Sequence, residues 1–416
     1  MRLVILGGGS VNTPAFFSAL SAGDSWLERV CLVDCSAEWA ERVGKFCAVV
    51  ARRRRLRLRV TWETDLARAA AGADVLLNVL RVGGLAALAE DRRRLAAGGA
   101  VGHAATYPQA VRNLPATLEA AHTVEQVAGD VLWVNFSNPV STLCEALALH
   151  TNLSVLGICY HAFALRADFA RLLGVGAARV RVEYRGLNHL GWVTDVLADD
   201  TSQMERLVAI VRGRRIKKHN HWYARLGMIP VDHAFCLYHR GDVWYDRQKG
   251  IRGSLEDVAL RLGRPSGSIA AEARQREKLR QLLLAGRVDA LGEFAAQAPW
   301  YATCIVPFLA ALSSGHRQEF IITWKHAGQD RALPEATAES DVQLEEGRVL
   351  PVTRSYSLPA FATEWLRQAR CSERLLIRAI LERSADLATQ AWAVHPNVAS
   401  WKHAERLASL YFRPQE

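Results

Sequence analysis

A short apolar run at residues 3–6 meets three consecutive glycines, Gly7, Gly8 and Gly9, and a helix-like segment begins at Pro14. Glycines between a strand and a helix let the backbone approach a pyrophosphate at the helix N-terminus, where unpaired amides favour an anion. A turn of this kind needs a parallel sheet behind it, and the next 170 or so residues (about 30 per strand–helix–strand unit) alternate accordingly. Residues 14–22 are helical in pattern, 30–33 form a second short strand closed by Asp34, and 36–53 read as a long amphipathic helix. Residues 56–60 alternate Leu and Arg like a strand, 65–71 read as a short helix, and 74–80, 131–134 and 155–158 as further apolar strands. Apolar strands alternating with helices predict an α/β fold with a doubly wound, Rossmann-type parallel sheet covered on both faces.

After about residue 180 the pattern changes. Residues 179–184 and 192–197 read as antiparallel strands flanking the segment GLNHLGW, and 202–212, 254–262, 269–284, 360–367 and 373–389 read as helices. The second half is therefore expected to be a mixed α+β, mostly helical domain packed on the end of the sheet.

Composition narrows the function classes. With 416 residues, 50% of them hydrophobic and 23% charged, the chain can bury a large core, which excludes a disulfide miniprotein or a disordered chain. The net charge of +10 is carried by arginine, since only seven lysines occur, and no basic stripe is interleaved with aromatics. Nucleic acid is not an expected partner. The run of arginines at 52–55 reads as a solvated helix end, and RGRRIKKHNH at 212–221 as a surface loop. Eight cysteines form no CxxC pair, so no disulfide framework is expected and a reducing cytoplasm is the expected location. No stretch approaches 18 uninterrupted apolar residues, so no membrane partner is expected.

Asp34 stands where an acidic residue at the end of the second strand holds the ribose 2′-hydroxyl of NAD and repels the 2′-phosphate of NADP. Gly7, Gly9 and Ser10 are the expected cofactor-binding residues of the turn, although Asn12 occupies the place of the fingerprint's third glycine. The arginines at 52–55 lie a whole helix beyond the strand end. A third element, NFSNPV at 135–140, follows an apolar strand and would place an asparagine amide near the nicotinamide and substrate.

These segments, in order, resemble glycoside hydrolase family 4, the NAD- and metal-dependent glycosidases of the lactate/malate dehydrogenase-like superfamily. GGGSVNTP at 7–14 is similar to its opening turn, LRVGGL at 80–85 to its RxGGL loop with Asp91 in the acidic position beyond, and NFSNPV to its NFTNP turn. GIC at 157–159 and GLNH at 186–189 resemble its two metal-ligand segments, and LPEATAES near 333–340 and AVHPNV near 393–398 follow its C-terminal pattern. The resemblance implies an NAD-binding Rossmann-like domain over 1–180 and a substrate, metal and oligomerisation domain over 181–416, in a homodimer or homotetramer. It implies Cys159 and His189 as ligands of a divalent metal, with manganese expected, since thiolate plus imidazole suits a mid-series cation. Arg81 and Asn135 join the cofactor residues; Asn138 and Asn188 are expected to hydrogen-bond sugar hydroxyls. The segment IPVDHAFCLYH at 229–239 lies where the family carries its base, so Tyr238 is the first candidate, followed by His233 and Asp232. His161 or Tyr160 is the candidate acid.

The implied reaction is an exception to the two-carboxylate route of most glycosidases. Hydride leaves C3 to NAD, the resulting ketone acidifies the C2 hydrogen, the C1 oxygen leaves by elimination, and water and hydride then return. Three departures bear on the substrate. Leu88 stands where an arginine contacts a sugar 6-phosphate, GHAAT at 102–106 lacks a glutamate, and Tyr160 replaces the polar residue after the cysteine. The expected function is thus cleavage of an unphosphorylated glycoside or uronide. The alternatives are an NAD-dependent sugar oxidoreductase or epimerase using the same C3-keto chemistry, and a non-catalytic NAD-binding regulator.

Overall fold

A computed structural model of the chain describes residues 1–98, 102–213, 227–232, 269–326, 333, 336–345, 347–352 and 358–412. Its centre is one sheet. The strands β1 (Arg2–Leu6), β2 (Arg29–Val33), β3 (Arg59–Glu63), β4 (Val75–Asn78), β5 (Leu132–Asn135) and β6 (Ser154–Gly157) pair in parallel in the order β3-β2-β1-β4-β5-β6. This is the doubly wound order, which reverses direction between β1 and β4 and opens a crevice there. Beyond β6 the pairing turns antiparallel, through β7 (Val180–Leu187), β8 (Leu190–Ala198), β9 (Thr201–Ser202), β10 (Ile229–Asp232), β11 (Gln318–Lys325), β12 (Thr337–Glu345) and β13 (Arg348–Pro351). The path continues β6-β11-β12-β7-β8-β10, with β13 beside β12 and β9 beside β8.

The parallel strands are buried on both faces because helices cover both. Leu3, Ile5 and Leu32 face one apolar cluster, whereas Val4, Leu6, Cys31 and Val33 face the other, as the two-residue period of a strand demands. The first cluster takes in α1 (Pro14–Ala19), α2 (Ala37–Arg53) and residues from Ile269–Leu284, Leu291–Gln297 and Val306–Leu312. The second takes in α5 (Tyr107–Val127) and α6 (Val140–His150) with the C-terminal helices Ala360–Glu382, Ala385–Val394 and Trp401–Ser409. Helices from the second half of the chain therefore lie on both faces of the parallel sheet, not only at its end.

Local chemistry sets several boundaries. Ser36 caps α2 by accepting from the Trp39 amide at 3.3 Å, and Asp65 caps α3 (Leu66–Ala70) through the Arg68 amide at 3.1 Å. The strand expected at 56–60 begins only at Arg59, because the Leu56 amide still bonds the Ala51 carbonyl and Arg55 has φ +56°, completing the exit turn of α2. The helices expected at 360–367 and 373–389 are one helix to Glu382; the break comes at Arg383, with φ +53°, and Ser384 caps the next helix. The helix expected at 254–262 lies outside the described residues. Helices α4 (Gly84–Gly98) and α5, and strands β11 and β12, were not anticipated. Among the described residues no single helix is long and apolar enough to cross a membrane.

Candidate active site

The glycine turn is folded across the end of β2. Gly7 and Gly8 both donate to the Val33 carbonyl, at 2.8 and 2.9 Å, and Gly7 has φ +89°, a conformation that glycine adopts without strain. Gly9 donates to Asp34 Oδ2 at 3.1 Å, and a Cβ on Gly9 would fall 2.7 Å from that carboxylate. Asp34 Oδ1 accepts from Ser36 N at 3.1 Å, so one carboxylate ties the turn to the start of α2. Ser10 Oγ accepts from the Asn12 amide at 3.3 Å. Asn12 itself is buried, and its side-chain oxygen has no hydrogen-bond partner. A close-approach cradle, an acidic strand end and an orphaned polar atom together fit a dinucleotide. Arg81, beyond β4, lies 3.5 Å from Glu272 of the helix Ile269–Leu284, so that helix reaches the same crevice.

At the ends of β4 and β5 two asparagines lock the next turn. Asn78 Nδ2 donates to Asn135 Oδ1 at 2.9 Å, and Asn135 Nδ2 donates to the Ser137 carbonyl at 3.0 Å. Both amide atoms of Asn135 are thus engaged in shaping NFSNP. Asn113 Nδ2 holds the Asn138 carbonyl at 2.6 Å, ahead of a cis Asn138–Pro139 bond. Asn138 then lines a cleft of about 200 Å³ with His103, Thr106, Gln109, Pro139, Ser141, Asn188 and His189.

Cys159 follows β6 at the N-cap of α7 (Tyr160–Leu173), and His189 sits in the turn between β7 and β8 with φ +62°. Cys159 Sγ and His189 Nε2 lie 3.3 Å apart. A first-row cation with bonds of about 2.3 Å to sulfur and about 2.1 Å to nitrogen spans such a pair. Burial pushes the Cys159 thiol up, but the His189 imidazole beside it outweighs that and leaves it below its ordinary value. Among the described residues no group of three or more His, Cys, Asp or Glu side chains gathers here, and Cys159 and His189 are the pair that would hold a cation. Asn188 donates to the buried Glu339 at 2.8 Å while lining the cleft beside His189.

The expected acid and bases divide. His161, in the first turn of α7, stacks its ring on that of His189 with centroids 5.1 Å apart. Asp232, in β10, pairs with Leu190, the residue after His189. His233 and Tyr238 lie outside the described residues. Sequence reading missed His103, Thr106, Gln109 and Ser141 as cleft residues. The only signal for His103 was the departure of GHAAT from the family pattern, and Ser141 reads as an ordinary helix residue. Ala104, in the place of the absent glutamate, is fully buried.

Behind the cleft lies a buried charge cluster. Glu373, fully buried, pairs with Arg370 at 2.6 Å and accepts from Ser141 Oγ at 3.2 Å and Thr142 Oγ1 at 3.0 Å. Burial alone would raise its pKa, but Arg370, with His103 and Thr142, holds it down at about 2. Glu145 lies 3.5 Å from Arg370 and 2.7 Å from Arg374, which likewise hold its carboxyl low against the effect of burial.

Comparison with known proteins shows the family. The model "Family 4 glycosyl hydrolase" matches residues 2–175 and "Family 4 glycosyl hydrolase C-terminal domain" matches 184–398. The phospho-alpha-glucosidase PagL of Clostridium acetobutylicum is 22% identical over 97% of this chain and 95% of its own. A Bacillus subtilis protein named "Probable 6-phospho-beta-glucosidase" is 29% identical over 50% of this chain, and the match spans only 49% of that relative. The 6-phospho-beta glucosidase of Thermotoga maritima, solved with manganese, NAD+ and glucose-6-phosphate, shares the fold with a TM-score of 0.81 at 19% identity, over 99% of each chain. With both family models matched in order across nearly its whole length, the chain belongs to glycosyl hydrolase family 4.

Proposed function

We propose that the protein is an NAD- and divalent-metal-dependent glycosidase that cleaves an unphosphorylated glycoside or uronide through transient oxidation at C3. The observation that carries the substrate class is the cleft wall. Among the described residues that line it none is a lysine or arginine, whereas polar uncharged groups (Thr106, Gln109, Asn138, Ser141 and Asn188) converge there. Arginine and lysine are frequent phosphate partners, and Leu88 stands where the family's phosphate-contacting arginine is expected.

In this reading the Gly7–Ser10 turn lets the backbone approach the pyrophosphate closely and Asp34 holds the ribose hydroxyl, with Arg81 at the crevice edge. Cys159 and His189 hold the cation. When bound, NAD supplies a reversible hydride acceptor and the cation an electrophile for sugar oxygens, so oxidation, elimination and re-reduction close without net redox change. Asn138 and Asn188 orient hydroxyls over the pair. Asp232 pairs with Leu190, the residue after His189, and Tyr238, then His233, both outside the described residues, is assigned removal of the C2 proton. His161, stacked on His189, is assigned the proton for the leaving oxygen. The described cysteines are all free, which suits a reducing cytoplasm. A homodimer or homotetramer is the assembly we infer from family membership.

A second reading, an epimerase or oxidoreductase with the same C3 chemistry, draws on His103. Its Nδ1 lies 3.2 Å from His395 and its Nε2 3.2 Å from Glu373, so both nitrogens turn inward and segment 102–106 offers the leaving group no acid.

Incubation with NAD+, Mn²⁺ and nitrophenyl glycosides, uronides and their 6-phosphates tests these readings. Nitrophenolate release from unphosphorylated substrates that needs both cofactors, with no accumulating NADH, is expected. Release confined to 6-phosphates overturns the substrate assignment. NADH without release, or C2 hydrogen exchange with solvent without release, moves the assignment to the second reading.

A further inference from the structure

Ser141 is a cleft residue whose hydroxyl is already oriented from behind. Its Oγ donates to Glu373 Oε2 at 3.2 Å and receives Arg370 Nη2 at 3.4 Å. Both partners are almost completely buried, with relative exposures of 0% and 3%. Glu373 cannot donate in return, because an ionised carboxylate is acceptor only, and it stays ionised through the neutral range. The Ser141 proton therefore points inward. One lone pair goes to Arg370, and the other is left for the cleft.

The surrounding network fixes that direction. The Asn397 amide donates to His395 Nδ1 at 3.0 Å, which makes that nitrogen an acceptor and puts the ring proton on Nε2. His395 Nε2 can then donate to His103 Nδ1 at 3.2 Å, which leaves the His103 proton on Nε2, facing Glu373 at 3.2 Å. Among the described residues Ser141 and Thr142 donate to Glu373, and His103 Nε2 and Arg370 Nη1 lie 3.2 and 2.6 Å from it. Thr106, a second hydroxyl in the cleft, likewise directs its proton inward, to the His103 carbonyl at 2.7 Å.

We propose that Ser141 is a specificity-determining residue that accepts a hydrogen bond from one sugar hydroxyl, and that Glu373 is the positioning residue that holds it in the acceptor state. The cleft then reads a donor on the substrate and disfavours an oxyanion at the same place, where lone pairs would oppose each other. The proposal rests on the reading of this cleft as the sugar site. It does not depend on glycoside cleavage.

Equilibrium binding decides it. Calorimetry would use the protein loaded with NAD+ and Mn²⁺, and methyl glucoside and methyl galactoside with their monodeoxy and monodeoxyfluoro derivatives as probes. Fluorine accepts but cannot donate. In the wild type, one position is expected where removing the hydroxyl lowers affinity about fivefold, and where fluorine lowers it equally. Both penalties are expected to vanish in Ser141→Ala, with NAD+ affinity unchanged. A merely structural role would weaken all probes alike and leave the penalties in place. Glu373→Gln lets the serine hydroxyl turn outward, so fluorine at that position is expected to recover affinity; Ser141→Ala alone decides the matter if the glutamine variant does not fold. Penalties that persist in Ser141→Ala, or a fluoro derivative that binds the wild type as well as the parent, overturn the proposal. No binding of any neutral probe to the wild type overturns it together with the substrate assignment. The expected pattern without aglycone release would leave it standing and remove the glycosidase reading.

Discussion

Cys159 Sγ lies 3.3 Å from His189 Nε2, and this contact joins the end of the parallel half of the sheet to the first hairpin of the antiparallel half. Neither side chain needs the other to hold its backbone: Cys159 begins a helix, and His189 occupies a turn between hydrogen-bonded strands. Cys159→Ser and His189→Ala are therefore expected to fold. Each should lower metal-dependent turnover by more than the roughly 10–100-fold that outer-shell changes cost, while NAD+ affinity stays within about twofold. Titration of Mn²⁺ with activity and NAD+ binding as paired readouts checks this. Full activity in either variant removes the pair as the metal site.

Asp34 has a different signature, because its carboxylate touches the turn as well as the expected ribose position. Asp34→Ala removes the acceptor for Gly9 N and Ser36 N together. NAD+ affinity should fall about tenfold, equivalent to about 1.4 kcal/mol. NADP+ affinity should fall less or rise, since the repulsion of its 2′-phosphate goes as well. Fluorescence titration of both dinucleotides gives the ratio. Equal affinities in the wild type would remove Asp34 as the discriminating group.

How far the sequence reveals the fold follows from which interactions are local. The glycine turn, the helices expected from Ser36 and Asp65, which prove to be their caps, and the apolar strands to β6 depend on residues near one another, and they read correctly to within a few positions. The strands β11 and β12 do not. Thr337–Glu345 carries Glu339, Ser340 and Asp341, all buried, and reads as a polar connection until the partners that neutralise it are known. Asn188 and Arg185 supply two of these partners from more than 150 residues away in sequence. The site divides likewise. Cys159, His189, Asn138 and Asn188 stand in recognisable segments, whereas Ser141 acquires meaning only when Glu373, 232 residues further on, closes behind it.

Tyr238 is the assignment that chemistry can test most directly. A base for the C2 proton leaves a mark that no binding role imitates: exchange of that hydrogen with solvent. Tyr238→Phe is expected to slow both aglycone release and C2 deuterium uptake by about 100-fold or more, with substrate affinity little changed. His233→Ala should leave the exchange within about threefold of wild type if Tyr238 is the base, by the usual tolerance of neighbouring groups. Deuterium uptake followed by NMR separates the two. Normal exchange in Tyr238→Phe with loss in His233→Ala would transfer the role to His233.

Acid stability reports on Glu373. Its folded pKa, about 2, lies below the ordinary value of 4.5, so the unfolded chain binds the extra proton between these limits. A depressed carboxylate contributes its stability in full above the unfolded value and loses it as pH falls through the folded one. The shift corresponds to roughly 3 kcal/mol in the wild type, present at pH 7 and lost progressively from about pH 5 to about pH 2. Glu145, also held low, adds to the same slope. Glu373→Gln should cost about 3–5 kcal/mol at neutral pH, because it leaves Arg370 buried without its nearer carboxylate. Its urea midpoint should then fall less steeply on acidification, and the two proteins should converge towards pH 3. Parallel midpoint curves for wild type and variant would show that Glu373 is not ionised in the folded protein, and the acceptor state assigned to Ser141 would lose its cause.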